Sequence, residues 1–92
     1  MIRTFRDKDV EELFHDTAVP RYRNIERVAR RKLLYLNAAK RLEDLRVPPG
    51  NQLEALKRDR KGQHSIRVNN QWRVCFRRHD GEALDVEIVD YH

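Results

Sequence analysis

The sequence predicts an α+β fold in which N-terminal helices pack on a small antiparallel β-sheet. Between residues 24 and 46 the apolar side chains recur at helical spacing, and Val47-Pro48-Pro49-Gly50 then ends the helical part. Three later segments instead alternate apolar and polar side chains, which is the period of a strand with one buried face. With 92 residues, the chain is expected to form one domain that spans residues 1–92 and has a thin core.

The N-terminal half is predicted to be mainly helical. Residues 1–5 are expected to form a short strand, and residues 8–15 a short helix. Residues 24–46 are expected to form the main helical region, with Asn24 as a candidate N-cap and Asn37 as the marker of a turn between two packed helices. The leucines of this region are assigned to the core, whereas its arginines fit either a solvated face or a surface that touches RNA.

The C-terminal half predicts an antiparallel meander. Its strands are QHSIRVN, WRVCFRR and ALDVEIVD, and the earlier segment LEALK adds a fourth strand. Short turns at residues 69–71 and 79–81 connect the last three strands. The apolar positions that are expected to face the core are Ile66, Val68, Trp72, Val74, Phe76, Leu84, Val86 and Ile88.

The two turns also predict the register of the sheet. If each turn has three residues, Arg67 lies opposite Arg73, and Arg73 lies opposite Glu87 on a solvated polar face. Two arginines that face each other repel. Either Glu87 bridges both of them, or a phosphate oxygen fills the remaining positive site. The same register brings the last residue of the sequence, His92, within a few residues of Arg73.

The positive charge is concentrated in the middle of the chain. The 20 Lys and Arg residues exceed the 15 Asp and Glu residues by five, and residues 57–78 hold eight cations and one acid. Such a balance fits an anionic partner, whether nucleic acid, an acidic protein or a membrane surface. The candidate RNA-binding or ribosome-binding cations of this stretch are Arg60, Lys61, Arg67, Arg77 and Arg78.

The cysteine count, the N-terminus and the histidine spacing give expectations about location, membrane spans and metal sites. The single cysteine, Cys75, cannot form an internal disulfide, so we expect a reducing, cytoplasmic location. The charged N-terminus predicts no signal peptide, and no apolar run is long enough to predict a membrane span. The four histidines lack the spacing of a helix-borne metal site, so neither a metal nor another cofactor is expected.

Cleavage of RNA without a metal needs three kinds of group. A base takes the proton of the 2′-hydroxyl, an acid protonates the leaving 5′-oxygen, and cations stabilise the charged phosphorane. Lys57, Arg73 and His92 are residue types suited to these tasks, because imidazole exchanges a proton near neutral pH and the two cations offset negative charge. The other three histidines are assigned to packing or to solvation.

The spacing of these residues resembles that of a known family. The residues that carry the resemblance are Leu53 to Lys57, Asp59-Arg60, Gly62, Ser65 to Asn69, Trp72-Arg73, Phe76 and Asp90-Tyr91-His92. Together they resemble the HigB branch of the RelE/ParE toxin superfamily, and the resemblance extends over essentially the whole chain. It implies a bacterial type II toxin with helices packed on a small antiparallel sheet.

The resemblance further implies a ribosome-dependent endoribonuclease that cuts mRNA during translation. It implies a cognate HigA-like helix-turn-helix antitoxin, contact with DNA only indirectly through that antitoxin, and no membrane partner. Carried over by position, His92 matches the family's terminal catalytic histidine, Arg73 its strand arginine and Lys57 its lysine before the central hairpin. Asp90 and Tyr91 match the residues that accompany the histidine.

Three other functions fit the same residues. A ribosome-independent RNase would use the same site, a ParE-like toxin would share the fold but act on DNA gyrase, and a degenerate module would only bind RNA. The terminal His92, together with Lys57 and Arg73, favours a nuclease over a gyrase toxin. The sequence leaves open which residue is the general base.

Overall fold

Two α-helices lie on one face of a four-stranded sheet in the computed structural model, which describes residues 1–90. Helix α1 spans Lys8–Phe14 and helix α2 spans Glu26–Ala38. Each strand is antiparallel to the next, and the spatial order follows the chain. The predicted α+β class and the antiparallel meander are therefore confirmed. The strands are β1 (Glu54–Ala55), β2 (Gln63–Arg67), β3 (Trp72–His79) and β4 (Glu82–Asp90).

The predicted main helical region is divided into three parts. Short 3₁₀ helices at Pro20–Ile25 and Leu42–Arg46 flank α2. The prediction of Asn24 as N-cap is wrong, because α2 continues from the first 3₁₀ helix and Ile25 occupies the cap position without a side-chain hydrogen bond. Tyr22 is fully buried in this 3₁₀ helix and has a non-helical φ of −110° and ψ of 15° there. No helix within residues 1–90 is both long and apolar enough to cross a membrane.

The N-terminal segment pairs with the edge of the sheet. Ile2 and Phe5 form isolated parallel bridges with Ala83 and Val86 of β4, so the predicted strand at residues 1–5 is reduced to these two contacts. The Oδ1 atom of Asn37, in the last turn of α2, accepts a hydrogen bond from the Ile2 amide at 2.9 Å. The turn predicted at Asn37 begins only after Ala38.

The core lies between the helices and the sheet face that meets them. The alternating apolar positions of β2 and β3 face this core as predicted, and Trp72 packs edge-on against Tyr22 with ring centroids 5.9 Å apart. The fully buried residues of the core include Val10, Leu13, Ala29, Leu33, Leu36, Ile66, Val74, Phe76 and Val86. The opposite sheet face, here called the outer face, carries the polar residues described below.

The predicted register is correct for one hairpin and wrong for the other. Arg67 lies opposite Arg73, as expected. Between β3 and β4, however, Arg73 lies opposite Val89, and Glu87 lies opposite Cys75. The predicted row of Arg67, Arg73 and Glu87 therefore does not exist.

Two local features cause this error. The second turn has only two residues, Asp80 and Gly81, whose φ angles of 51° and 80° are typical of a type I′ turn. A β-bulge with Asp85 at φ 53° then shifts the register once more. As a result, Leu84 lies on the outer face, and Ala83 instead of Leu84 is buried in the core.

Candidate functional site

A row of polar side chains crosses the outer face of the sheet. Two fully buried side chains occupy the centre of the row, a carboxylate stands at each end, and an arginine is bound near each carboxylate. Polar groups that are removed from water need hydrogen-bond partners. The centre of this row is therefore packed inside the protein and is not exposed to solvent. The register aligns the row, strand by strand, as Glu54, Ser65, Cys75 and Glu87.

Arg73 is fixed by the protein at one end of this row. It is 8% exposed, so the expectation of a solvated position is wrong. Its Nε donates a hydrogen bond to Ser65 Oγ at 2.7 Å, and its Nη2 donates to the backbone carbonyls of Gln52 and Ser65. The Glu54 carboxylate lies 4.0 Å from Nε. The remaining nitrogen, Nη1, makes no hydrogen bond within the described residues.

The carbonyl of Gln52 reaches Arg73 because the backbone bends sharply there. Gln52 follows the short 3₁₀ helix Pro49–Asn51 and adopts the left-handed conformation, with φ 44° and ψ 59°. This conformation is unfavourable for any residue other than glycine. The strained backbone at Gln52 orients its carbonyl towards the buried guanidinium of Arg73.

Glu87 holds the other end of the row. Its side chain is 13% exposed, and Arg60 Nη1 donates to its Oε2 at 2.9 Å and to Gln63 Oε1 at 3.1 Å. Arg6 approaches the other carboxylate oxygen at 3.8 Å. The suggestion that Glu87 bridges the two strand arginines is therefore wrong. Glu87 instead anchors Arg60, a predicted RNA contact, whereas the neighbouring Lys61 is exposed.

Cys75 at the centre of the row is chemically protected. The residue is fully buried. Burial raises the pKa of its thiol to about 11, and the nearby Arg60 and Arg73 offset only part of that rise. Because the thiolate is the reactive form of cysteine, Cys75 is a structural residue of the sheet.

We expect iodoacetamide to modify native Cys75 at about pH 8 at least about 100-fold more slowly than the same protein in denaturant, because the pKa shift and burial both suppress the thiolate. The chain has one cysteine, so the modification reports on this site alone. Mass spectrometry at timed intervals measures both rates. Equal rates in the native and denatured protein would contradict the burial of Cys75.

Two predicted catalytic residues lie at or just beyond the end of a strand. Lys57 is exposed and directly precedes the 3₁₀ turn Arg58–Arg60. Asp90 ends β4 opposite Trp72, and its carboxylate accepts a hydrogen bond from Gln71 Nε2 at 3.0 Å. The expected return of the last strand to the turn at residues 69–71 is therefore confirmed as far as Asp90.

Tyr91 and His92 lie outside the described residues. The expected proximity of His92 to Arg73 stays a prediction.

The other histidines are not part of the polar row of Glu54, Ser65, Cys75 and Glu87. His64 lies on the helix side and stacks on Phe76 with ring centroids 6.2 Å apart. Burial lowers its pKa, and the charge of Arg78 lowers it further. His15 and His79 are exposed. Among residues 1–90, no group of three or more His, Cys, Asp or Glu side chains is arranged to hold a metal ion.

Comparison with known proteins decides the family. The family model described as "RelE-like toxin of type II toxin-antitoxin system HigB" matches residues 3–92. Toxin HigB-1 of Vibrio cholerae serotype O1 is 44% identical in an alignment of 87 residues that covers 92% of this chain and 92% of the other. The chain belongs to the HigB family of RelE-like toxins of type II toxin-antitoxin systems.

Solved structures support the fold of this HigB-family toxin. A heterotetrameric YoeB–YefM toxin–antitoxin complex from Staphylococcus aureus contains a chain with a TM-score of 0.58 and 16% identity, covering 100% of this chain and 98% of the other. A second YoeB–YefM complex from Staphylococcus aureus gives a TM-score of 0.53 and 15% identity with the same coverage. At this identity the likeness extends to the fold alone.

The predicted RNA-binding cations of the HigB-family toxin do not form one surface. Arg67 lies on the outer face opposite Arg73, and Arg77 lies on the same face in an ion pair with Asp85 at 3.5 Å. The next residue, Arg78, points to the helix side and donates to the Lys40 carbonyl at 3.1 Å. Only part of the basic stretch therefore borders the candidate site.

Sequence reasoning missed three residues of the site. Ser65 occupies a polar position of a predicted strand, and Glu54 lies in the predicted strand LEALK, so the alternation of the strands would have placed both on the outer face. Gln52 acts through its backbone carbonyl. Its side chain therefore offers no signal in the sequence.

Proposed function

We propose that this toxin is a ribosome-dependent endoribonuclease, which cleaves mRNA during translation through a metal-independent acid/base mechanism. The observation that carries the proposal is the fixed guanidinium of Arg73, whose Nη1 is left without a hydrogen bond among the described residues. Arginine matches the geometry of phosphate oxygens. A donor that is already oriented stabilises developing charge without reorganisation, so Arg73 is suited to the phosphate that is attacked.

The proposed reaction is an attack by the 2′-hydroxyl on the adjacent phosphorus. A base takes the hydroxyl proton, the new P–O bond closes a cyclic phosphate, and the leaving 5′-oxygen receives a proton from an acid. We assign one of these proton transfers to His92, with Asp90 and Tyr91 holding the histidine in place. Lys57 and Arg73 offset the negative charge of the phosphorane.

Glu54 is a second candidate for the base. Its side chain is 53% exposed, and its carboxylate lies 4.0 Å from Arg73 Nε. A phosphate bound by Arg73 would therefore bring the adjacent 2′-hydroxyl near this carboxylate. If Glu54 is the base, His92 supplies the proton to the leaving oxygen.

The proposed partners follow from the family and from the substrate. The Staphylococcus aureus neighbours are complexes of a toxin with an antitoxin, which supports a cognate HigA-like antitoxin for this chain. The ribosome and mRNA are the other proposed partners, and action on translating ribosomes implies a cytoplasmic location. Contact with DNA is proposed only through the antitoxin.

The purified toxin is expected to cleave mRNA only when ribosomes are present. Within residues 1–90 the outer face contributes mainly the fixed guanidinium of Arg73, so the ribosome is expected to align the RNA backbone for in-line attack. Primer extension on an mRNA incubated with and without programmed ribosomes measures the difference. Equal cleavage of naked RNA would replace this proposal with a ribosome-independent RNase, and inhibition of DNA gyrase without RNA cleavage would replace it with a ParE-like activity.

A further inference from the structure

Helix α2 carries a lysine that is buried against the segment before β1. Lys32 is 6% exposed, and its Nζ donates a hydrogen bond to Asn51 Oδ1 at 2.6 Å. The ammonium also lies 5.5 Å from the centroid of the Tyr35 ring. Burying a cation on a neutral acceptor is unfavourable compared with burying an apolar side chain of similar size. Packing alone therefore does not account for a lysine at this position.

Asn51 connects this lysine to the backbone that leads into β1. Asn51 is fully buried, and its Nδ2 donates to the carbonyls of Leu45 at 3.1 Å and Val47 at 3.3 Å. Its backbone amide donates to the Pro48 carbonyl at 2.9 Å. The side-chain amide is thus bonded through both its oxygen and its nitrogen, and Lys32 holds the oxygen.

The residue after Asn51 is the strained Gln52, whose carbonyl accepts a hydrogen bond from Arg73 Nη2. A strained backbone conformation persists only where the surrounding contacts fix it. The side chain of Gln52 is exposed and contributes little packing, whereas the adjacent Asn51 is held on both sides of its amide. One peptide unit therefore links the hydrogen bond of Lys32 to that of Arg73.

We propose that Lys32 is a positioning residue for RNA cleavage, because it fixes the Arg73 guanidinium through the Asn51 amide and the Gln52 carbonyl. This rests on the proposed function, since it takes Arg73 as the donor to the attacked phosphate. Lys32 itself is too deeply buried to contact RNA or the ribosome. Any effect of its replacement on cleavage is therefore transmitted through the protein.

The first test observes the Arg73 guanidinium by NMR in the Lys32→Met variant. The Nε–H of Arg73, which donates to Ser65 Oγ, gives a ¹H–¹⁵N signal that is assigned by its loss in Arg73→Lys. Methionine is unbranched and apolar, so it fills the site without a donor. We expect the Nε–H to exchange with water at least about 10-fold faster in Lys32→Met, because the turn at Gln52 opens locally.

Two controls separate this local effect from general destabilisation. Backbone amides in the middle of α2 and β3 report global unfolding in the same sample, and their exchange is expected to accelerate less than that of the Arg73 Nε–H. Arg31→Met removes the same charge from the adjacent, exposed position of α2. This variant is expected to leave the Nε–H exchange rate unchanged.

Cleavage on programmed ribosomes is the second readout. A displacement of about 1 Å at a reacting group costs about 10²-fold in rate, so we expect Lys32→Met to lower the single-turnover rate at saturating toxin by about 10- to 100-fold. The toxin concentration that gives half the maximal rate is expected to stay the same, because a buried side chain makes no contact with the ribosome. If Lys32→Met fails to fold, Lys32→Gln, which is polar and one atom shorter than lysine, replaces it with the same expected results.

Three outcomes would overturn the positioning role. One is an unchanged exchange rate of the Arg73 Nε–H in the folded Lys32 variant, even if cleavage falls. The second is faster exchange with cleavage at the wild-type rate, and the third is equal acceleration of the core amides, which would assign Lys32 to stability alone. If the wild-type toxin cleaves no mRNA on ribosomes, the proposed nuclease function fails instead. The exchange rate still decides in that case whether Lys32 holds Arg73.

Discussion

Replacing Arg73 with alanine is expected to abolish detectable mRNA cleavage and also to destabilise the fold. Loss of one oriented donor to a developing anion costs about 10²–10³ in rate. The substitution also leaves Ser65 and the Gln52 carbonyl without the guanidinium that now binds them. Hydrogen bonds to charged groups contribute about 1.5–3 kcal/mol each, so we expect the free energy of unfolding to fall by about 2–4 kcal/mol. Single-turnover cleavage on programmed ribosomes and urea unfolding measure the two effects.

Arg73→Lys separates the catalytic effect from the structural one. Lysine keeps the charge, but its compact ammonium lacks the planar fork that binds Ser65, Gln52 and a phosphate together. We expect this variant to regain part of the stability and little of the activity. Arg3→Ala, at an exposed ion pair, serves as the control for the loss of an arginine and is expected to change neither. Cleavage by Arg73→Lys at the wild-type rate would remove the oriented guanidinium from the mechanism.

Replacing His92 with glutamine is expected to lower the single-turnover cleavage rate by about 10²–10⁴, the usual contribution of a positioned proton-transfer group. Glutamine keeps hydrogen-bonding capacity but cannot carry a proton near neutral pH. Binding to the ribosome should persist, because the substitution leaves the basic residues in place. The measurements are cleavage on programmed ribosomes and a parallel ribosome-binding assay.

Glu54→Gln is the matched comparison for His92. If both variants lose activity by similar factors, the two residues divide the proton transfers as base and acid. If His92→Gln cleaves near the wild-type rate while Glu54→Gln is inactive, His92 has no role in proton transfer. The dependence of the rate on pH adds a second criterion, since loss of the proton-transfer group should change the shape of the pH–rate profile.

Local periodicity was enough to predict much of this fold. The alternation in β2 and β3 identified their buried faces, and the short turn at residues 69–71 placed Arg67 opposite Arg73. Both inferences depend on neighbouring residues in one hairpin, where the side-chain period of two determines which residues share a face. The resemblance likewise indicates the family to which the chain belongs.

The register of the last strand depended on contacts that are distant in sequence. The bulge at Asp85 lies where the N-terminal segment meets β4, and the Asp85 amide donates to Thr4 Oγ1 at 2.8 Å. No periodicity within β4 reveals a partner at the other end of the chain. This shift moves Glu87 away from Arg73 and towards Cys75 and Arg60.

The tertiary structure also decided the state of Arg73. By alternation alone it is a polar residue on a solvated strand face, yet its guanidinium is covered and bound. The carbonyl of Gln52 reaches it because the backbone is left-handed at Gln52, and Ser65 supplies a second acceptor from β2. Residue type and spacing determine which face a side chain occupies. Whether that face is exposed to solvent depends on which backbone atoms, distant in sequence, cover it. A charged group can be buried only where hydrogen-bond acceptors are already in place, because an unpaired buried charge is very unfavourable.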